Sequence, residues 1–184
     1  MTLTTMWTHG NSLVVEDPGQ YEYIRHRGWG TLLKFNSATS SADDLRVCHI
    51  PIPTPRTVDG ASPVISKITL LFQTDADQPG AEPSGGVHGV VQIEKLDVWD
   101  GSDLVTTIPG DYWRGSHLSP DKLNQLDVPP TEVESGIGVS LFCSVDGEFD
   151  SSEWFLIVAG VGADFVYPNP TLTRRELEAK RVGR

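Results

Sequence analysis

Apolar and polar residues alternate along most of this chain with the two-residue period of a β-strand. The clearest case is 137–145, where every second residue from Ile137 to Val145 is apolar. Because successive side chains of a strand point to opposite sides of a sheet, this segment presents one apolar face. The 3.6-residue period of an amphipathic helix is nearly absent before residue 119. The pattern therefore predicts an all-β fold.

Nine segments have the composition and alternation of strands, and the 18 glycines and 13 prolines supply the turns between them. This number fits two packed sheets better than one open sheet, so we expect a two-sheet β-sandwich of jelly-roll type. The predicted strands are 12–16, 21–26, 31–36, 47–52, 64–73, 87–100, 104–108, 137–145 and 154–165.

Two of these segments predict finer detail. The strand 154–165 is apolar at both odd and even positions, which is typical of a central strand covered on both faces. In 87–100 the apolar positions change from Val91 and Ile93 to Leu96 and Val98. A one-residue shift reverses the faces of a strand, so we expect a β-bulge or a break near Glu94.

Two segments predict helices. Ser119 followed by Pro120 predicts a short helix to about Leu126, inside a connection over 110–136 that lacks a strand pattern. At the C-terminus, Thr173 and Glu176 form a capping box, and Leu172 and Leu177 form the matching hydrophobic staple. The sequence thus predicts a β domain over 1–168 and a charged tail over 169–184, with a helix at about 174–182.

The charge is acidic and unevenly distributed. The net charge of −11 disfavours binding to nucleic acid or to anionic membranes. The residues after Thr173 sum to +3, with Arg174, Arg175 and Arg181 among the cations, so the rest of the chain sums to −14. We therefore expect the tail to dock, through Leu172, Leu177 and these arginines, on an acidic surface of its own chain or of a neighbouring copy.

The N-terminal residues lack the pattern of a signal peptide, and no apolar run has membrane-spanning length. We expect a soluble protein, cytoplasmic by default. Cys48 and Cys143 fall on apolar positions of their strands, which favours buried thiols and leaves a disulfide between them as the alternative.

Signals for catalysis and for cofactors are weak. The five histidines lack metal-ligand spacings, and no motif for a nucleophile or a phosphate loop occurs. Asp146, Glu148 and Asp150 alternate oxygen ligands in a way that calcium could use, but a solvated hairpin loop is the better interpretation. The sequence predicts no cofactor.

Two clusters combine aromatic rings with polar groups. One holds Tyr112, Trp113, Arg114 and His117, and the other holds Arg27 and Trp29. Such residues form the centres of protein interfaces or stack on pyranose rings, while the plainer alternative is that they close the ends of the core.

Four short motifs, WTHGNS, RHRGWGT, HIPIPTP and GADF, are distributed between Trp7 and Phe165. With these motifs the chain resembles an uncharacterised bacterial family of small stand-alone β-proteins that has no assigned activity. The resemblance implies an all-β fold and implies no catalytic or binding residues.

Three hypotheses of function follow. The favoured one is a non-enzymatic structural or interaction protein that self-associates, as a homo-oligomer, or decorates a larger protein assembly. The second is a carbohydrate-binding, lectin-like module that binds a glycan through the aromatic clusters. The third is a metal-dependent enzyme built on a β-sandwich.

Overall fold

The computed structural model describes residues 2–36, 45–55, 61–74, 90–146 and 154–167. These residues form twelve strands in two antiparallel sheets, with two short 3-10 turns at Gly10–Ser12 and Pro18–Gln20. The strands are β1 (Thr2–His9), β2 (Val14–Val15), β3 (Tyr21–Arg27), β4 (Gly30–Phe35), β5 (Arg46–Pro51), β6 (Val64–Thr74), β7 (Val90–Asp100), β8 (Asp103–Trp113), β9 (Ser116–His117), β10 (Gln125–Glu132), β11 (Ile137–Asp146) and β12 (Phe155–Tyr167).

The larger sheet, sheet A, is organised around β12. One edge of β12 pairs with β6, and the other pairs first with β4 and then with β1, which follow one another along it. β3 lies outside β4, while β9 and β10 lie outside β6. The smaller sheet, sheet B, has the order β2-β5-β11-β7-β8.

The core lies between the two sheets and consists of the inward side chains of both. On β11 the residues Ile137, Val139, Leu141, Cys143 and Val145 are all buried, as the alternation predicts. The largest buried side chains are Trp154, Phe35, Phe72 and Phe165. Burying a side chain of this kind contributes about 1.5–3 kcal/mol to stability.

Several sequence predictions are confirmed. The all-β class and the arrangement in two sheets are present, and β12 is a central strand, although the described residues cover only one of its two faces. The register between β11 and β7 shifts by one residue at Glu94, so the predicted bulge is there, and Val91, Ile93, Leu96 and Val98 all face the core. Cys48 and Cys143 are fully buried free thiols, and the hydrogen bond between them, together with burial, raises the pKa of Cys48.

Other predictions are wrong. The described residues contain twelve strands and not nine, because β1, β9 and β10 were missed, and they contain no α-helix. The helix predicted from Ser119 to Leu126 is instead a turn that leads into β10. β10 escaped detection because Pro129 and Pro130 interrupt it, which only a sheet edge with an irregular register tolerates. The predicted tail domain, 169–184, and its helix lie outside the described residues.

The junction of β4 and β1 on β12 is very tight. Gly30 has a φ of +145°, and a Cβ at this position would lie 2.2 Å from the carbonyl oxygen of Val158. Gly10 approaches the same oxygen, at 1.9 Å for its added Cβ. Only glycine allows these two segments of the chain to approach the backbone of β12 this closely.

We predict that Gly30→Ala lowers the free energy of unfolding by more than about 2 kcal/mol, because it adds both a backbone clash and an unfavourable φ. The matched control is Gly28→Ala in the same hairpin, where an added Cβ meets no atom within 4 Å. The control should change stability by less than about 0.5 kcal/mol in urea denaturation. Equal effects of the two variants would contradict the tight junction.

Asp100 holds the turn between β7 and β8 to the loop before β11. Its carboxylate accepts hydrogen bonds from the backbone N–H groups of Glu134, Ser135 and Gly136, at 2.7, 2.8 and 2.7 Å. Burial raises the pKa of Asp100, but the three N–H donors outweigh burial, so the pKa lies below its usual value. The carboxylate therefore stabilises the folded state while it is ionised.

We predict that Asp100→Asn lowers the free energy of unfolding by about 1–3 kcal/mol at neutral pH. Since the folded-state pKa is depressed, this stability is present above the unfolded pKa and is lost as pH falls through the folded one. The difference between wild type and variant should therefore shrink in acid, measured by denaturation at neutral and at acid pH. Asp103→Asn, at the exposed end of the same turn, should change little.

Candidate functional site

The face of sheet A that points away from the core is the candidate functional site. Leu156 and Val158 of β12 are buried in the core, so Ile157 between them points outward. Residues that pair directly across an antiparallel sheet share a face. The outward row through Ile157 is therefore Arg25, Leu32, Ile157, Gln73 and Ser116.

Exposed apolar side chains concentrate on this outer face. Seven large hydrophobic residues of the described part of the chain are exposed, and four of them lie here: Leu3, Trp7, Trp29 and Leu118. Single exposed apolar residues are ordinary, whereas a contiguous set marks a binding surface.

A concavity of about 380 Å³ occupies one half of this face. It is lined by Trp29, Gln73, Leu118, Ile157 and Ala159, of which Gln73 is polar and the others are apolar. Such a lining accepts a bulky apolar group and offers few hydrogen bonds to a polar ligand.

Trp29 and Leu118, the two exposed residues that line the concavity, lie in or beside hydrogen-bonded turns. Trp29 lies in the tight turn between β3 and β4, where the side chain of Asn11 donates to the Arg27 carbonyl at 2.8 Å and Thr31 donates to the Gly10 carbonyl at 2.9 Å. Leu118 precedes a turn in which the Asn124 amide donates to the carbonyls of His117 and Ser119. The concavity is thus built on hydrogen-bonded supports.

The structure brings together only part of the predicted site. Trp29 lines the concavity, while Arg27, two residues before it, and Arg114, in the connection before β9, are exposed. Trp113 is half-buried and packs against the core. His117 also turns inward, with its ring 5.0 Å from that of Phe72. The side chain of Tyr112 lies outside the description.

His117 also contacts Asp121, at 3.0 Å between Nδ1 and Oδ2. This hydrogen bond, with those from the N–H groups of Leu123 and Asn124, lowers the pKa of Asp121 despite the opposing effect of desolvation. His117 therefore stabilises the turn beneath Leu118. Sequence reasoning missed Leu118 itself, which carries no chemical motif.

The half of the face that holds the concavity is basic, and we call it the concave half. Arg25 stacks on the ring of Tyr23 at 4.2 Å, and Arg27 lies next to Trp29 in the chain. In the described part of the chain, no carboxylate lies within 4.0 Å of the guanidinium groups of Arg25, Arg27 or Arg114. These cations are therefore available to an acidic partner.

The other half of the face is acidic, and we call it the Trp7 half. Trp7 lies on Gly162, where an added Cβ would be 2.8 Å from the indole ring. Leu3 and Val166 continue this apolar surface. The charged residues on the same side, set by the register, are Asp164, Asp127, Glu132 and Lys67. This half of the face thus carries three carboxylates and one ammonium group.

On the outer face of sheet B, a row of polar residues has the order of a catalytic triad. Glu16 Oε1 lies 2.9 Å from His49 Nε2, and His49 Nδ1 lies 2.8 Å from Ser140 Oγ. However, the Trp99 indole N–H donates to the same Oγ at 3.1 Å, and Ser140 is only 4% exposed. With one of its two Oγ lone pairs occupied by the Trp99 N–H and its surface covered, Ser140 is positioned to join strands and not to attack a substrate.

No group of three or more histidine, cysteine or acidic residues that could hold a metal occurs within the described ranges. The proposed calcium loop mostly falls beyond them: Glu148 and Asp150 lie outside the described residues, and only the backbone of Asp146, at the end of β11, is described.

The chain matches no protein-family model, and no curated protein is similar to it. The resemblance to an uncharacterised bacterial family therefore stays a prediction. No helix within the described residues is long and apolar enough to cross a membrane.

Proposed function

We propose that this protein is a non-enzymatic interaction protein that self-associates through the outer face of sheet A. The observation that carries the proposal is β12, whose sequence is apolar on both faces while the described residues cover only one of them. Phe155, Ile157 and Ala159 remain partly exposed on the outer side. A second copy of the chain would cover them.

The two halves of the face are complementary to one another. The concave half combines Trp29 and Leu118 with arginines, and the Trp7 half combines Trp7 and Leu3 with carboxylates. A two-fold axis perpendicular to the strands, passing between the halves, sets the concave half of each copy against the Trp7 half of the other. Such an isologous contact closes as a dimer.

The size of the face agrees with a specific interface. Four strands about 4.8 Å apart and ten residues long, at about 3.3 Å per residue, form a surface of roughly 600 Å² before side-chain relief is counted. Stable protein complexes bury about 800 Å² on each partner.

A glycan is the alternative occupant, supported by the half-exposed Trp29 ring beside Gln73. It is the weaker candidate because the other lining residues of the concavity are apolar, whereas sugar hydroxyls need several polar partners. Binding on a glycan array that Trp29→Ala abolishes would favour this alternative.

We predict that Ile157→Asp raises the dimer dissociation constant about 30-fold or more, because it places an uncompensated carboxylate in the centre of the contact. Sedimentation equilibrium of the full-length protein measures the constant. The matched control is Val14→Asp, which is 62% exposed on sheet B and should leave the dimer intact. A wild-type protein that stays monomeric across the concentration series would overturn the proposal.

Charge-reversal variants, measured by the same sedimentation equilibrium, test whether the two halves pair with each other. Arg27→Glu and Asp127→Lys should each weaken the dimer, since each makes one half repel the other. The double variant restores opposite charges between the halves and should recover most of the affinity. If the loss of dimerisation free energy in the double variant equals the sum of the losses in the two single variants, the proposed pairing of the halves is wrong.

A further inference from the structure

We infer that the C-terminal tail, residues 169–184, binds to the Trp7 half of its own chain and competes there with the second copy. The competition rests on the proposed function, whereas the docking itself does not. The Trp7 half is an exposed apolar and acidic surface, and the tail carries a net positive charge together with a few apolar residues.

The tail begins close enough to the Trp7 half to reach it. It follows Tyr167, the last residue of β12, and Trp7 pairs with Gly162, about 17 Å back along the same strand. The six residues 168–173 can span up to about 20 Å, so the chain can turn back over the face. A helix over 174–182 would be about 13 Å long, which matches the distance along β1 from Leu3 to Trp7.

The chemistry of the tail also fits this half. Leu172, Leu177 and Val182 supply apolar side chains for the surface of Leu3, Trp7 and Val166. Arg174, Arg175 and Arg181 supply cations for Asp164, Asp127 and Glu132. The concave half of a second copy offers the same combination of arginines with bulky apolar groups, which is why the two would compete.

Docking within the chain is favoured over docking on a neighbour. A segment tethered to its own chain through only six residues experiences its site at an effective concentration on the order of millimolar. A dilute second copy cannot reach that concentration, so the tail occupies the Trp7 half first.

Photo-crosslinking of the full-length protein tests the docking. The photoreactive residue benzoylphenylalanine replaces Leu177, and the protein is irradiated at a concentration where it sediments as a monomer. We expect a monomer-sized product whose crosslinked peptide contains residues 2–9 or 160–167. A product joined elsewhere, a dimer-sized product or the absence of any product would overturn the inference.

The charge contribution is tested in the same assay. Asp127→Lys, combined with the photoreactive residue, should lower the crosslink yield several-fold, while Asp103→Lys, on the exposed turn of sheet B, should not. Equal yields from the two variants would contradict the electrostatic part of the docking.

Competition is measured separately, by sedimentation of full-length Leu177→Asp. This variant releases the tail and leaves every carboxylate of the Trp7 half in place for the second copy, so it should tighten the dimer several-fold relative to wild type. Asp127→Lys differs because it also removes a carboxylate that the second copy needs. An unchanged or weaker dimer would overturn the competition, and a protein without any dimer would overturn the proposed function while the crosslinking result still stands.

Discussion

The fold depends on the pairing of β12, which is hydrogen-bonded to strands on both edges along nearly its whole length. β6 runs along one edge, and β4 and β1 share the other, with Gly30 and Gly10 closing the gap between them. A strand held in this way has a fixed register, so the direction of each side chain is determined. Leu156, Val158 and Phe165 go into the core, and Ile157 goes to the outer face. The same pairing that builds the core therefore also builds the exposed surface.

Much of this architecture could be predicted from the sequence because half-buried strands alternate apolar and polar residues, whereas central strands are apolar at both odd and even positions. β11 and the bulge at Glu94 follow directly from the parity of their apolar residues. The missed strands share a physical cause: β10 is an edge strand with two prolines, β9 has two residues, and β1 is rich in threonine, so none presents a regular apolar stripe. The turn at 118–124 was mistaken for a helix because Ser-Pro begins either structure. There the hydrogen bonds of Asp121 and Asn124 decide between them.

The site was predictable only in part. Aromatic residues next to arginines pointed to Trp29, which lines the concavity, and to Arg27, which is exposed, but the same composition also pointed to Trp113 and His117, which pack inward. Composition cannot give the direction of a side chain, since that depends on the register with a neighbouring strand. Leu118, Ile157 and Ala159 have no chemical signature, and they line one concavity only because two separate segments, β12 and the residue after β9, meet on one face. The opposite charges of the two halves likewise follow from sheet order and not from sequence order.

We therefore propose the second apolar side of β12 as the functional surface, covered by a copy of the chain. Hydroxyl-radical footprinting of the wild-type protein at low and at high concentration tests this most directly. If a second copy covers this surface, oxidation of Trp29, Leu118 and Ile157 falls as concentration rises, while that of Trp99 on sheet B stays constant. Oxidation of Trp29 that is independent of concentration, in a protein shown by sedimentation to have associated, would contradict it.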